Sequence, residues 1–250
     1  MWLWPNLLSL DAPVVAVVWQ IFFARCFHAE VTATATALLM LAVWLIYAAD
    51  RVFDARGGSM LPRHEFYRRN WRAVAPVWTA AFAVAGWLAW TRLPALIFER
   101  GALLLAAVAL YFAVVHLAPL QNWPKEMVVA ILFAIGASLT AWGHVRSAAD
   151  VLTILLFSCL CWINCIAIEK WERRKNGWLV CFAAAGVAAA AILLLHRERP
   201  VLSGAETSSA IAFVLLDRGR RHLSRDALRV LADVALLSPV FFLPIAGTLA

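Results

Sequence analysis

Apolar runs long enough to cross a membrane follow one another from one end of the chain to the other, and this feature limits the possible folds most. A helix of about 20 apolar residues spans the hydrocarbon core of a bilayer. Apolar residues make up 64% of the 250 positions and charged residues only 15%, more apolar surface than one core of this size can bury. The sequence therefore predicts an all-α, polytopic membrane helical bundle rather than a soluble domain.

The pattern predicts nine transmembrane helices, with eight as the alternative. The predicted spans lie near residues 12–27, 31–50, 73–91, 101–118, 126–143, 150–168, 178–195, 205–217 and 227–246. The eighth span is the weakest, because it is short and is bracketed by Glu206 and Asp217. No Ser/Gly-rich linker or low-complexity tract divides the chain, so residues 1–250 are expected to form a single transmembrane domain.

The basic residues indicate an orientation for these spans. Sixteen of the 22 Lys and Arg residues fall in the loops after the second, fourth, sixth and eighth spans. Loops rich in Lys and Arg stay in the cytoplasm, which puts the N-terminus there as well. We expect an integral protein of a bacterial inner membrane. Its formal charge of +7 is interpreted as topology signals and contacts for anionic membrane lipid, with no nucleic acid as partner.

Two pairs of acidic residues end two of the spans on the same predicted side. Asp50 and Asp54 are four residues apart at the end of the second span, so a helix places both carboxylates on one face. Tyr47 falls one turn earlier on that face. Glu169 and Glu172 end the sixth span in the same way. Each pair is followed by a basic loop.

This arrangement is typical of a magnesium–diphosphate site. Magnesium binds a few carboxylates, keeps water ligands and completes its shell with phosphate oxygens. Nearby Arg and Lys side chains would balance the remaining phosphate charge. The alternative interpretation is that acids beside Arg residues form interfacial ion pairs that only anchor the helices.

At these residues the chain resembles the UbiA superfamily of membrane prenyltransferases. That family has nine helices, a cytoplasmic N-terminus and two Asp-rich motifs, which follow the second and sixth helices. Its first motif has the form Asn-Asp-x-x-Asp-x-x-x-Asp, and the segment Ile-Tyr-Ala-Ala-Asp-Arg-Val-Phe-Asp at 46–54 matches the second half of it. Ile46 and Tyr47 replace the leading Asn-Asp, and Glu residues replace the Asp residues of the second motif.

The resemblance implies a prenyltransferase that moves a prenyl group from a prenyl diphosphate to an aromatic or lipid acceptor with magnesium. The implied catalytic residues and magnesium ligands are the four acids, Asp50, Asp54, Glu169 and Glu172. The implied diphosphate-binding residues are Arg51, Arg63, Arg68, Lys125 and Asn164. Tyr47 or Trp162 would place a ring face against the carbocation-like prenyl group.

Two other function classes stay open. A UbiA-like protein that has lost catalysis and binds a lipid or a partner is favoured by the missing Asn-Asp and by the Glu-for-Asp replacements. A small transporter is favoured by Asp233 alone, an acid about one turn inside the last predicted span. Membrane CDP-alcohol phosphotransferases are set aside, because the run Asp54-Ala-Arg-Gly-Gly lacks their Asp-Gly-x-x-Ala-Arg motif.

Overall fold

The computed structural model describes residues 8–56, 67, 69–117, 124–173 and 177–247, apart from the side chains of 54–56 and 117. This part of the chain is helical throughout and contains no β-strand, which confirms the all-α prediction there. We number the helices α1 (Asp11–Cys26), α2 (Ala33–Arg56), α3 (Trp71–Arg92), α4 (Ala95–Leu117), α5 (Lys125–Ser138), α6 (Ala148–Glu172), α7 (Trp178–Ala190), α8 (Pro200–Gly219), α9 (Arg225–Ala235) and α10 (Pro239–Phe242). Helix α5 continues into a 3-10 turn, Leu139–His144, and α7 into a π-helical turn, Ala191–Leu195.

Six of the helices in the described ranges, α2 to α7, are long and apolar enough to cross a membrane when α5 and α7 are taken together with the turns that continue them to His144 and Leu195. The class of protein is therefore an integral membrane protein with several long apolar helices. Helices α1, α8 and α9 coincide with predicted spans but are too short or too polar to meet the same measure.

The predicted span 227–246 is divided in the structure. Helix α9 ends at Ala235, and the short α10 starts at Pro239. The cause is visible in the sequence, because Pro239 has no N–H group and cannot continue the helical hydrogen bonds across this position. Residues 227–246 therefore form two helical pieces rather than one continuous span.

The core surrounds α6, which packs against α5, α7, α8 and α9. Phe157 of α6 stacks on Trp19 of α1, with ring centroids 4.1 Å apart. The Trp19 indole also donates a hydrogen bond of 2.7 Å to the carbonyl of Leu236. One aromatic contact and one polar contact therefore hold α1, α6 and the end of α9 together in the interior.

Helices α3 and α4 differ from this core in their exposure. No side chain of α3 is buried, and Trp90 is 77% exposed. Leu103 of α4 is 72% exposed. Because large apolar side chains at such exposure are unfavourable in water, these helices have the surface of a segment surrounded by lipid.

Contacts between helix termini define two ends of the bundle. Asp50, at the end of α2, faces His116 at the end of α4, with 3.7 Å between Oδ1 and Nε2. At the opposite end, Asp150 in the first turn of α6 binds Arg199, just before α8. We call these the Asp50 end and the Asp150 end.

The Asp150 end is closed by a polar network in which the buried carboxylate meets a donor at each oxygen. Ser147 and Asp150 form a capping box at the start of α6, and Asp150 Oδ2 accepts from the backbone N–H groups of Arg146 (2.9 Å) and Ser147 (3.0 Å). Its Oδ1 accepts from Nε of Arg199 at 2.8 Å and lies 2.7 Å from Nη2. We call Ser147, Asp150 and Arg199 the Asp150 network.

Candidate functional site

The last turns of α2 carry the first predicted acidic pair. The carboxylate of Asp50 is 44% exposed beside His116, whose ring stacks on Phe53 with centroids 4.8 Å apart. Arg51, the next residue, is buried at 7% exposure. The end of α2 therefore presents an accessible carboxylate and a buried guanidinium on adjacent positions.

The last turns of α6 carry the second predicted pair, and both of its acids face Arg residues. Glu169 lies 3.3 Å from Nη1 of Arg173, one turn later on the same chain segment, and its side chain is 42% exposed. Glu172 pairs with Arg229 of α9. Both acids of this pair therefore form ion pairs, and Glu169 is the more accessible of the two.

The two acid-bearing helix ends lie at the same end of the bundle. Tyr47 of α2 is within electrostatic range of the Cys161 and Cys165 thiols of α6. Asp50 is about one turn beyond Tyr47, and Glu169 is one turn beyond Cys165. Gly136, near the end of α5, also faces Leu39 in the first half of α2, and α6 turns back along α5, so the ends of α2 and α6 lie on the same side.

A cluster of half-buried polar side chains occupies the space between these ends. Asp233 of α9 accepts a hydrogen bond of 3.0 Å from Nδ2 of Asn164 on α6. The Asp11 carboxyl at the start of α1 and the Arg51 guanidinium lie close to the Asp233 carboxyl. Tyr47 completes the group, within range of both acids. We call Asp11, Tyr47, Arg51, Asn164 and Asp233 the Asp233 cluster.

Two carboxyl groups and an amide meet in this cluster, beside the Arg51 guanidinium. Asp11, Asn164 and Asp233 are half-buried rather than sealed, so the two carboxyl groups are accessible from outside the core. The cluster therefore brings two carboxyl groups and a cation together in one place.

Asn164 has hydrogen-bonding capacity to spare toward this cluster. Its amide Nδ2 donates to Asp233, whereas its Oδ1 is buried and has no hydrogen-bond partner among the described residues. A buried amide oxygen in this state accepts a donor or a cation at low cost. Of the predicted binding residues that the structure describes, Asn164 therefore has the clearest vacant coordination capacity.

The remaining predicted site residues lie in different places, and not all of them are near the Asp233 cluster. Lys125, at the start of α5, is 60% exposed and lies 4.0 Å from Oε1 of Glu126. Glu126 is itself within electrostatic range of Cys165, so the start of α5 is at the Asp50 end. Trp162 lines an apolar groove between α6 and α7, about 300 Å³ in volume, instead of the Asp233 cluster. Arg63, Arg68 and the side chain of Asp54 lie outside the described residues.

One further buried contact reaches the cluster from the loop after α2. Tyr67 is 2% exposed and its hydroxyl lies 3.0 Å from Oγ of Ser9. Burial raises the pKa of the Tyr67 phenol, against the opposing effects of the Ser9 hydroxyl and of the Arg51 charge. Tyr67 therefore packs in the interior against Ser9, near the Arg51 side of the cluster.

A magnesium ion fits these residues only with help from a ligand. Within the described ranges, no three His, Cys, Asp or Glu side chains converge as a metal centre would require. Magnesium does not need three, because it is commonly held by one or two carboxylates together with substrate phosphate oxygens. The accessible carboxylates of Asp50 and Glu169 and the open Oδ1 of Asn164 have the oxygen chemistry that such a shared site uses.

Sequence reasoning missed Asp11 and gave Asp233 only a minor place. Asp11 looks like an ordinary acid in the first turn of a helix, and that local role hides its contact with a helix more than two hundred residues away. A signal was present for Asp233, because an acid within an apolar run is costly and has to face protein or water.

Comparison of the chain with protein families, with curated proteins and with solved structures finds no match.

Proposed function

We propose that the chain is a UbiA-like membrane prenyltransferase, which moves a prenyl group from a prenyl diphosphate to an aromatic or lipid acceptor with magnesium. One observation carries the proposal. The acid-bearing ends of α2 and α6 lie at the same end of a membrane-spanning bundle, around the half-buried Asp233 cluster. A polar recess beside apolar helices suits a substrate with a charged head and an isoprenoid tail.

The site residues divide the work of such a reaction. Asp50, Asp54 and Glu169 would hold magnesium together with diphosphate oxygens, and the bound metal would offset the charge of the departing diphosphate. Arg51, Arg63, Arg68 and Lys125 balance the rest of that charge. Glu172 contributes less, since it is already paired with Arg229.

The Asp233 cluster supplies the other half of the chemistry. When an aromatic acceptor forms a bond to the prenyl carbon, its ring must lose a proton, and a carboxylate of the Asp11–Asp233 pair would accept it. Tyr47 offers an aromatic ring for the positive charge that develops on the prenyl group. In this proposal the bundle crosses the membrane nine times, with the Asp50 end in the cytoplasm of a bacterial inner membrane.

Ligand-dependent melting of the purified protein tests the proposal. A ligand present at a hundred times its dissociation constant adds about 2.7 kcal/mol to the stability of the folded state. We expect prenyl diphosphate and magnesium together to raise the melting temperature, and neither alone to do so. Asp50→Ala should abolish this shift.

The matched control is Glu99→Ala, which removes an exposed acid near the start of α4, at the other terminus of that helix from His116. This variant should keep the full shift. An equal shift in Asp50→Ala, or no shift with prenyl diphosphates of any chain length, would refute the proposed site. Transfer to an acceptor would then be measured by product formation with the same two variants.

A second candidate function is a non-catalytic relative that binds a lipid or a partner at the same recess. Two observations favour it. Glu172 is held by Arg229, and Tyr47 packs against the small apolar cluster of Ala12, Ala16 and Val43 where the resembled motif has a carboxylate. Lipid binding that raises stability without magnesium or diphosphate would support this candidate over the enzyme.

A further inference from the structure

Glu206 of α8 is a carboxyl group sealed in the interior of the bundle. Its side chain has 0% exposure, and neither Oε1 nor Oε2 has a hydrogen-bond partner among the described residues. It lies outside the Asp233 cluster and has no part in the proposed transfer reaction. A buried acid with both oxygens open is rare, because buried polar atoms normally find a partner.

Among the described residues, the surroundings of Glu206 offer its carboxyl group no counter-charge. The ionisable side chains near it are the thiols of Cys26 on α1, which is buried, and Cys159 on α6, which is exposed, and neither carries a balancing charge. The other elements packed against α8 are α7 with its π-helical turn, α9 and α10, and no charged group on them acts on the Glu206 carboxyl. An ionised carboxylate in such a place would cost far more than a neutral acid.

Polar groups continue from Glu206 toward the Asp50 end. Ser209, one turn along α8, lies 2.7 Å from Oγ of Ser238 and donates to the carbonyl of Ala235. Ser238 in turn donates to the carbonyl of Ala205, next to Glu206. Each hydroxyl has one hydrogen, so it donates either to its carbonyl or to the other hydroxyl, and this exchange of donor is the rearrangement that proton transfer along hydroxyls requires. Asp233 lies two residues before Ala235 on α9.

Polar groups also continue from Glu206 toward the Asp150 end. The Cys26 thiol lies within electrostatic range of both Glu206 and Arg199. Arg199 binds Asp150, the acid of the Asp150 network. Glu206 therefore lies between two acids, Asp233 toward one end and Asp150 toward the other. Hydroxyl groups lie on its Asp233 side, and the Cys26 thiol lies on its Asp150 side.

We propose that Glu206 is a proton-binding site, midway along a path of polar side chains by which protons cross the bundle. The neutral carboxylic acid releases its proton toward the side of lower proton potential and becomes a carboxylate. It then takes a proton from the opposite side and becomes neutral again, so each cycle moves one proton and changes no other bond. An ionisable residue within a membrane bundle commonly has such a role.

Proton flux into vesicles tests the path. The purified full chain is reconstituted into liposomes of phosphatidylcholine and phosphatidylglycerol, loaded with a pH-sensitive dye, and a potassium gradient with valinomycin drives protons inward. We expect the wild-type chain to acidify the lumen severalfold faster than protein-free vesicles. Glu206→Gln should reduce the rate to that of protein-free vesicles. Glu206→Asp keeps a carboxyl group and should retain part of the wild-type rate.

Glu206→Gln is a suitable variant because the amide has the shape and neutrality of the protonated acid, so the fold is expected to survive. Its melting temperature checks this directly. The control is Glu198→Gln, an exposed acid eight residues earlier, which should conduct as the wild-type chain does. Wild-type flux no faster than protein-free vesicles, or equal flux in Glu206→Gln, would overturn the proposal.

Chemical modification gives a second measurement that needs no variant. Dicyclohexylcarbodiimide partitions into membranes and adds to protonated carboxyl groups, and the adduct is located by peptide mass. We expect Glu206 to carry the adduct and the modified protein to lose its proton flux. Failure to modify Glu206, or flux unchanged after its complete modification, would overturn the proposal. None of these readouts depends on prenyl diphosphate, so they are independent of the proposed transferase activity.

Discussion

The Asp150 network and the Asp233 cluster each place a buried or half-buried acid between helices, but they differ in how the acid is satisfied. Asp150 has 0% exposure and accepts from two backbone N–H groups and from Arg199. Asp233 meets one amide N–H and a second carboxyl group, that of Asp11. Beside Asp233, the Oδ1 of Asn164 stays open.

This difference separates polar groups that hold the fold from polar groups that are available for chemistry. A carboxylate whose four lone-pair positions all meet fixed donors has little capacity left for a ligand. Removal of such a carboxylate destabilises the fold strongly. A carboxyl group that meets one amide donor beside a second carboxyl group can take or give a proton without dismantling its surroundings. We therefore expect the Asp150 network to control stability and the Asp233 cluster to control activity.

Removal of the Asp150 carboxylate gives the largest expected effect. In Asp150→Ala, Arg199 loses its partner inside the bundle and the start of α6 loses half of its capping box. Breaking a buried ion pair on one side costs about 3–5 kcal/mol. Chemical unfolding in detergent micelles measures the loss. The control, Ser147→Ala, removes only the helix cap and should cost about 1 kcal/mol.

A loss below about 1 kcal/mol in Asp150→Ala, near the usual effect of a surface substitution, would break the comparison at its first step. It would mean that Arg199 finds another acceptor or reaches the lipid headgroups when Asp150 is removed. The two ends could then not be distinguished by the satisfaction of their acids.

Asp217 offers a second test, because it is a satisfied acid at the Asp50 end. Its carboxylate accepts from the Trp171 indole at 2.8 Å and from the Cys181 thiol at 3.2 Å. A Cβ atom added to Gly177 would collide with this carboxylate. Gly177→Ala should therefore destabilise the fold by about 1–3 kcal/mol, as overpacking in a filled interior does.

The control for that variant is Gly186→Ala in α7, where a Cβ atom meets open space. Because Ala is favoured over Gly within a helix, this substitution should leave the melting temperature unchanged or raise it slightly. Equal melting temperatures for the two variants would show that Asp217 moves freely. The importance of an acid for stability would then depend on the end of the bundle at which it lies, and not on how many hydrogen-bond donors its carboxylate meets.

The helices could be predicted from the sequence because hydropathy is a local property. A helix lies in each of the nine predicted ranges within the described part of the chain, and six of them have the length and apolarity of a membrane span. The break before Pro239 was missed because the surrounding residues stay apolar, and the hydropathy pattern gave the proline no weight.

The partners of the acids could not be predicted from the sequence. Glu172 and Arg229 are 57 residues apart, and their pairing depends on how α6 and α9 are rotated against each other. The same packing brings Asp11 near Asp233 and leaves Glu206 sealed in the interior. Residue spacing identifies the face of a helix on which an acid lies, whereas tertiary packing decides what that face meets.

The smallest expected effect on stability sharpens the comparison most. Asp233→Asn keeps an acceptor for Asn164, so the unfolding free energy should change by less than about 1 kcal/mol, within the range of a single neutral hydrogen bond. The matched variant Asp150→Asn keeps the same shape but turns an amide N–H toward donors, and its loss should be clearly larger. Activity should show the reverse order: Asp233→Asn keeps the melting shift with magnesium and prenyl diphosphate but loses transfer to the acceptor. If Asp233→Asn costs as much stability as Asp150→Asn, the cluster serves the fold, and its open Asn164 oxygen needs another explanation.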